Sequence, residues 1–200
     1  MKRILFTIAV LASTLSFGSA GAQENPSDQG LSLALRLSGG EFRATDATTD
    51  TEISDAGGGL ALTVGYDFNP VFGLQVEFAG NGFSSLAPGL EAATGSVALL
   101  MQYRFLPGHI TRPYLRAGLA GYGLTFRSDL GDVSANGGSV PLSAGVEFLV
   151  ARHVALGLDV THHIVAFDEV SVEASGVGLA YDIDADGSQT NLSMSVLFYF

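Results

Sequence analysis

The sequence predicts an all-β fold: an eight-stranded antiparallel up-and-down transmembrane barrel with short periplasmic turns and long extracellular loops. Three observations predict it. Of the 200 residues 47% are hydrophobic and only 14% are charged, against about 25% charge in an ordinary soluble domain, so much of the folded surface does not face water. Beyond the N-terminus no stretch approaches the ~18–20 consecutive apolar residues of a spanning helix; the longest are Val97–Met101 and Val196–Phe200. Finally, apolar residues recur at every second position, the period of a strand with one apolar face. A charge-poor chain without helix-length runs crosses a membrane as a closed barrel, because only closure satisfies every backbone group in lipid.

Residues 1–22 read as a secretory signal peptide. Lys2 and Arg3 make its positive start, Ile4 to Phe17 its mostly apolar stretch, and Ala20-Gly21-Ala22 its small-residue cleavage site. A membrane anchor is the weaker reading, since the apolar stretch is short for a span and small residues follow it. Gln23 then begins the mature chain, residues 23–29 form a periplasmic tail, and residues 30–200 form the barrel. Losing Lys2 and Arg3 moves the net charge from -11 to -13.

Eight alternating runs follow in order. Leu31, Leu33, Leu35 and Leu37 open the series, and Leu60, Leu62, Val64, Tyr66 and Phe68 form the second run. The third is Phe72, Leu74, Val76 and Phe78; the fourth is Val97, Leu99, Met101, Tyr103 and Phe105. Leu115, Ala117 and Leu119 make the fifth, and Val140, Leu142, Ala144, Val146 and Phe148 the sixth. Val154, Leu156, Leu158 and Val160 make the seventh, and Leu192, Met194, Val196, Phe198 and Phe200 close the chain. The opposite face of each run is Gly, Ala, Ser and Thr with isolated charges. A soluble lipocalin-like barrel would need charges across its outer face instead. Small residues suit the crowded interior of a narrow barrel.

The connections alternate in length. Those at 69–71, 106–111 and 151–153 are short; those at about 39–58, 80–95, 127–139 and 165–189 are long, the layout of an outer-membrane barrel with both termini in the periplasm. Tyr66, Phe68, Phe72, Tyr103, Phe105, Tyr114, Phe148, Phe198 and Phe200 fall beside the short turns as an interfacial girdle. Phe42, Phe78, Tyr122 and Phe126 are expected to form a sparser outer girdle.

Two segments carry a family resemblance. Leu192-Ser193-Met194-Ser195-Val196-Leu197-Phe198-Tyr199-Phe200, with its alternation and terminal Phe, resembles the C-terminal assembly signal of bacterial outer-membrane proteins. The run Arg112-Pro113-Tyr114-Leu115-Arg116-Ala117-Gly118-Leu119-Ala120-Gly121-Tyr122-Gly123 resembles the Pro-Tyr…Gly-x-x-Gly strand of OmpA/OmpX-like and opacity-like barrels. The resemblance covers essentially all of 30–200. It implies a barrel in the bacterial outer membrane and delivery to the barrel assembly machinery, with Phe198 and Phe200 as the assembly signal. Its members include adhesins, immune-evasion proteins and structural proteins, so it implies a place more than an act.

The interior positions of the runs carry Arg36, Asp67, Gln75, Glu77, Gln102, Arg104, Arg116, Glu147 and Asp159, with His163 near the outer end. Isolated charges in a low-dielectric lumen are costly. Arg36, Asp67, Glu77, Arg104, Arg116, Glu147 and Asp159 are therefore expected to pair as a luminal network that fills the barrel. A gated ion or small-solute conduit is the alternative. His162 and His163, with Asp159 and Asp168 nearby, raise a second alternative, a lipid-A-modifying enzyme. Such deacylases carry His-x-Ser on one strand face, and this chain has Ile164 and Val165 where the Ser would stand.

Asp182-Ile183-Asp184-Ala185-Asp186-Gly187 matches the start of a calcium loop, making Asp182, Asp184 and Asp186 candidate ligands for a Ca²⁺ ion in the last extracellular loop. The closing position holds Ser193 rather than the bidentate Glu, and because Ser193 belongs to the final strand a helix-flanked EF-hand is excluded; a partial, weak site is what remains, with an acidic solvated loop tip as the alternative. The long connections hold 14 of the 20 acids, and their only cations are Arg43 and Arg127. That acidity argues against nucleic acid. It leaves outer-membrane lipid, cation-bridged lipopolysaccharide or a basic extracellular ligand as partners of a monomer. With no Cys, disulfides and thiolate sites are excluded. The function that best fits is a structural or surface-interaction (adhesin-like) barrel without an open pore and without catalytic turnover.

Overall fold

The computed structural model describes residues 29–46, 51–87, 90–128, 131–174 and 177–200. Within them the chain forms β1 (Gly30–Asp46), β2 (Thr51–Asp67), β3 (Phe72–Ala87), β4 (Leu90–Arg104), β5 (Thr111–Ser128), β6 (Gly131–Ala151), β7 (Val154–Ala174) and β8 (Val177–Tyr199). Each strand pairs antiparallel with the next, and β8 pairs with β1, so the sheet closes and no edge meets lipid. The hydrogen-bonded path Leu35–Leu62–Phe78–Val97–Gly121–Gly138–Ala166–Asp186 returns to β1 at Thr45, ten residues beyond its start. That stagger belongs to strands tilted by about 35–45° around a lumen that side chains can fill.

The turns at one end are as short as expected: 68–71, 105–110 and 152–153. Asn69 organises the first, its side-chain oxygen accepting from the Val71 and Phe72 amides at 2.9 and 2.8 Å. The other end corrects the sequence reading. The long loops expected at 39–58, 80–95, 127–139 and 165–189 are mostly strand, with β7 running on to Ala174 and β8 starting at Val177. Their Gly, Asn and Asp residues read as loop because they have little strand propensity of their own. Antiparallel pairing with the neighbouring strand overrides that preference here. β6, β7 and β8 reach 21, 21 and 23 residues, roughly twice the ~9–11 needed to cross a membrane, so the barrel wall continues well past the bilayer.

Above the apolar belt the hydrophobic pattern inverts. In the belt, Leu35, Leu37, Leu60, Val97, Leu119 and Ile164 face outward and polar residues face inward. Beyond it, Phe42, Phe83, Leu124, Val165 and Phe167 point into the barrel and are buried together. Between the belt and this cluster the pleat keeps its phase, as in β7 from Val154 to Phe167. What changes is the medium outside, from hydrocarbon to water, so the apolar residues change face. This corrects the expected outer girdle: Phe42 and Tyr122 are interior, Phe126 is half-buried against the same cluster, and only Phe78 faces outward.

The wall is irregular at several places, the β5–β6 seam among them. The β5–β6 register gives Gly118 and Leu119 no partner, opposite Pro141, which has no N–H to donate. A Cβ at Gly118 would lie 1.9 Å from the Leu99 carbonyl oxygen on β4. Gly118→Val is therefore expected to force the strands apart and destabilise the barrel by on the order of 1–3 kcal/mol. The fraction of refolded protein that migrates as the compact, unheated band on a gel would fall accordingly.

Candidate functional site

The lumen is filled in layers. At the periplasmic end Ala34, Leu149, Ala155, Leu197 and Tyr199 form a small apolar floor. Above it lies the charged layer. Arg104 holds Asp67 at 2.8 Å and Glu147 at 3.1 Å, and Glu147 also accepts from the Gln102 amide and the Tyr199 hydroxyl, each at 2.9 Å. On the other side Arg36 meets Glu77 at 2.8 Å and Asp159 at 3.7 Å, while Arg116 meets Asp159 at 3.0 Å and Glu77 at 3.6 Å. The Tyr114 hydroxyl donates to Asp159 at 2.9 Å, and the Thr63 hydroxyl to Glu77 at 3.1 Å. Gln75 joins the two halves through a 2.6 Å hydrogen bond to Gln102.

The structure thus brings together all seven residues expected in the network. It adds Tyr114 and Tyr199, and it adds a cation. Arg112 is buried facing inward, donates from Nε to the His109 carbonyl oxygen at 3.1 Å, and lies near enough to attract the Asp67 carboxylate. Four arginines then face four carboxylates, all at most 6% exposed. A neutral, mutually hydrogen-bonded set is the one form in which so much charge survives in a low-dielectric interior. The signal for Arg112 and Tyr114 was available in the parity of β5, since both share the even positions of Arg116. Tyr114 consequently leaves the periplasmic girdle, while Tyr66, Phe68, Phe72, Tyr103, Phe105, Phe148 and Phe200 remain exposed on the outer face.

A belt of neutral polar groups follows. Gln189 accepts from the hydroxyls of Tyr122 and Thr94, the latter at 3.1 Å, and donates to Asn191 at 2.9 Å. Between this belt and the charges is a cavity of about 20 Å³, room for roughly one water. An apolar cluster lies above it at the outer end: the rings of Phe42 and Phe83 lie 6.2 Å apart, and those of Tyr122 and Phe167 meet edge-on at 6.0 Å.

His162 and His163 are neighbours in sequence and face opposite sides of the wall. His163 is buried beside the Tyr122 ring, with Ser139 Oγ 3.5 Å from its Nδ1, the outer limit of a hydrogen bond. His162 is exposed on the outside and bonds Thr190 at 2.9 Å. The wall separates them, so they do not form one catalytic pair. Asp182 and Asp186 stand exposed on β8, within a continuous strand rather than the loop expected for calcium; the Asp184 side chain lies outside the described residues. Among the described residues no three His, Asp or Glu side chains group to hold a metal ion. Asp55, expected on the acidic exterior, is buried, its carboxylate accepting from the Ala56 amide at 2.8 Å. Phe198 is half-buried beside Leu33 and Val154, and the Phe200 amide donates to the Leu31 carbonyl at 2.9 Å, sealing the last strand against the first.

A family model described as the outer membrane protein beta-barrel domain matches residues 8–182. No curated protein matches the chain. Among solved structures, the chain resembles Neisserial surface protein A with a TM-score of 0.64 at 17% identity, over 86% of this chain and 99% of that one. It resembles OprG from Pseudomonas aeruginosa at 0.53 and 14% identity, over 88% and 99% of the two chains. AlkL, solved in lipid bilayers, gives 0.53 at 16% identity, over 92% and 97%. At these identities the likeness is one of fold. The matched family model, spanning most of the chain, and the closed eight-stranded barrel with its lipid-facing belt together place this protein in the outer membrane protein beta-barrel family, in the bacterial outer membrane.

Proposed function

We propose that the protein is a closed display scaffold with a structural or surface-interaction role, adhesin-like in kind. The observation that carries this reading is the pairing of a filled lumen with a wall that rises past the membrane. Four layers of side chains occupy the interior, while Glu91, Asp168, Glu169, Asp182 and Asp186 stand exposed on the extension. A barrel built so offers little to a solute and much to a partner. The chain's net charge of -11 favours a basic partner, or lipopolysaccharide phosphates bridged by divalent cations. A monomer delivered by a cleaved signal and by the barrel assembly machinery completes the reading. The mature protein's N-terminal sequence is then expected to start at Gln23, and Phe200→Ala to lower the amount of barrel in the outer membrane.

The test is trimming of the outer strands with protease on intact cells. Loss of binding to cells or extracellular matrix, with the membrane-embedded barrel still folded, supports display; unchanged binding overturns it. Lipid A incubated with the refolded barrel and weighed by mass spectrometry separates the enzymatic alternative. Masses are expected to stay unaltered, and loss or gain of an acyl chain would replace display by lipid modification.

A further inference from the structure

The lipid-facing wall is unevenly studded around β5 and β6. Ala117 faces outward between Met101 on β4 and Leu142 on β6, and Ala144 lies between Leu115 on β5 and Val160 on β7. The two alanines and Gly118 form the floor of a groove of about 770 Å³, walled by Leu119, Leu142 and Val160. The three wall residues are 71, 45 and 47% exposed and belong to the apolar belt. The groove is therefore continuous with the surface that meets hydrocarbon, and hydrocarbon is what it offers room to.

The groove also holds a titratable side chain on the lipid side, His162. Its Nδ1 is engaged by the Thr190 hydroxyl, and among the described residues its Nε2 has no hydrogen-bond partner. A polar group in an apolar belt is costly until something bonds it. His162 lies eight residues beyond the start of β7 at Val154, in the extracellular half of the span. Tyr103, at the opposite end of the groove, belongs to the periplasmic aromatic girdle. The groove thus runs along the barrel axis with its polar end outermost. A lipid of the outer leaflet has its ester and hydroxyl oxygens at that end. An inner-leaflet phospholipid lies the other way, bringing its chain terminus towards His162.

We infer that the groove holds one acyl chain of an outer-leaflet glycolipid, with His162 hydrogen-bonding an ester or hydroxyl oxygen near the head of that chain. Native mass spectrometry of the whole barrel, delipidated, refolded in mild detergent and titrated with lipid A or with phosphatidylethanolamine, tests this. The wild type is expected to carry one lipid A adduct and to prefer it over phosphatidylethanolamine. Ala144→Phe, which fills the groove from outside without entering the lumen, is expected to weaken that adduct about tenfold. His162→Leu is expected to remove the preference for lipid A while keeping phosphatidylethanolamine binding unchanged. Equal lipid A binding by the wild type and Ala144→Phe overturns the groove. A stronger phosphatidylethanolamine adduct in the wild type overturns the choice of leaflet. Should Ala144→Phe fail to give the compact gel band, Ala117→Leu narrows the same floor by less and carries the same expectation.

Discussion

Arg116→Leu is expected to lower the barrel's stability by about 3–5 kcal/mol, the usual cost of removing one partner from a buried charge pair. Arg116 meets Asp159 at 3.0 Å and Glu77 at 3.6 Å, and its guanidinium sits 5.1 Å over the Tyr114 ring. Without it, Arg36 alone faces two carboxylates, and a charge-balanced layer carries an excess negative charge in a medium that cannot solvate it. The lost packing over Tyr114 adds to this. Thermal unfolding in detergent, followed by the loss of the compact gel band, reads the effect. A midpoint unchanged from the wild type would mean that Arg116 is not part of a paired network. The double variant with Asp159→Asn should recover part of the loss, because the two changes remove opposite charges that touch.

Phe167→Ala should produce an effect of similar size in a different place. Phe167 is buried in the outer cluster, edge-on to Tyr122 at 6.0 Å, and truncating a buried Phe costs about 3–5 kcal/mol. The cluster supports only the part of the wall beyond the membrane. The expected result is local opening of that extension, seen as faster proteolysis of the outer strands while the membrane-embedded band persists. Planar-bilayer conductance should stay absent in this variant, since the charged layer beneath still fills the lumen. A steady conductance in Phe167→Ala would identify the aromatic cluster as the only barrier and favour a conduit. Conductance appearing in the wild type and changing with Glu147→Ala would favour it more strongly.

These two variants probe opposite solutions to one problem. The same strand must present apolar side chains to lipid at one height and to its own interior at another. In β5, Leu115 and Leu119 face hydrocarbon, whereas Tyr122 and Leu124 face inward; the parity of the apolar positions switches between Leu119 and Tyr122. In β7 it switches between Ile164 and Val165. These switches are written in the sequence. They are hard to read there because a phase change resembles the end of a strand, and the surrounding Gly, Ser and Asp residues strengthen that impression.

The sequence by itself determined the strand count, the antiparallel order, the three short turns, the lipid-facing belt and the seven charged residues of the interior. Each follows from local alternation, which a barrel enforces residue by residue because one face always meets a different medium from the other. Only the tertiary structure decided how far the strands extend, that Arg112 balances the interior charge, that Phe42 and Tyr122 point into the lumen rather than anchor the rim, and that Ala117 and Ala144 from adjacent strands share a groove. Those features depend on which residues of different strands stand at the same height. Height is set by the ten-residue stagger of the closed sheet, a property of the whole ring that no single run of sequence contains.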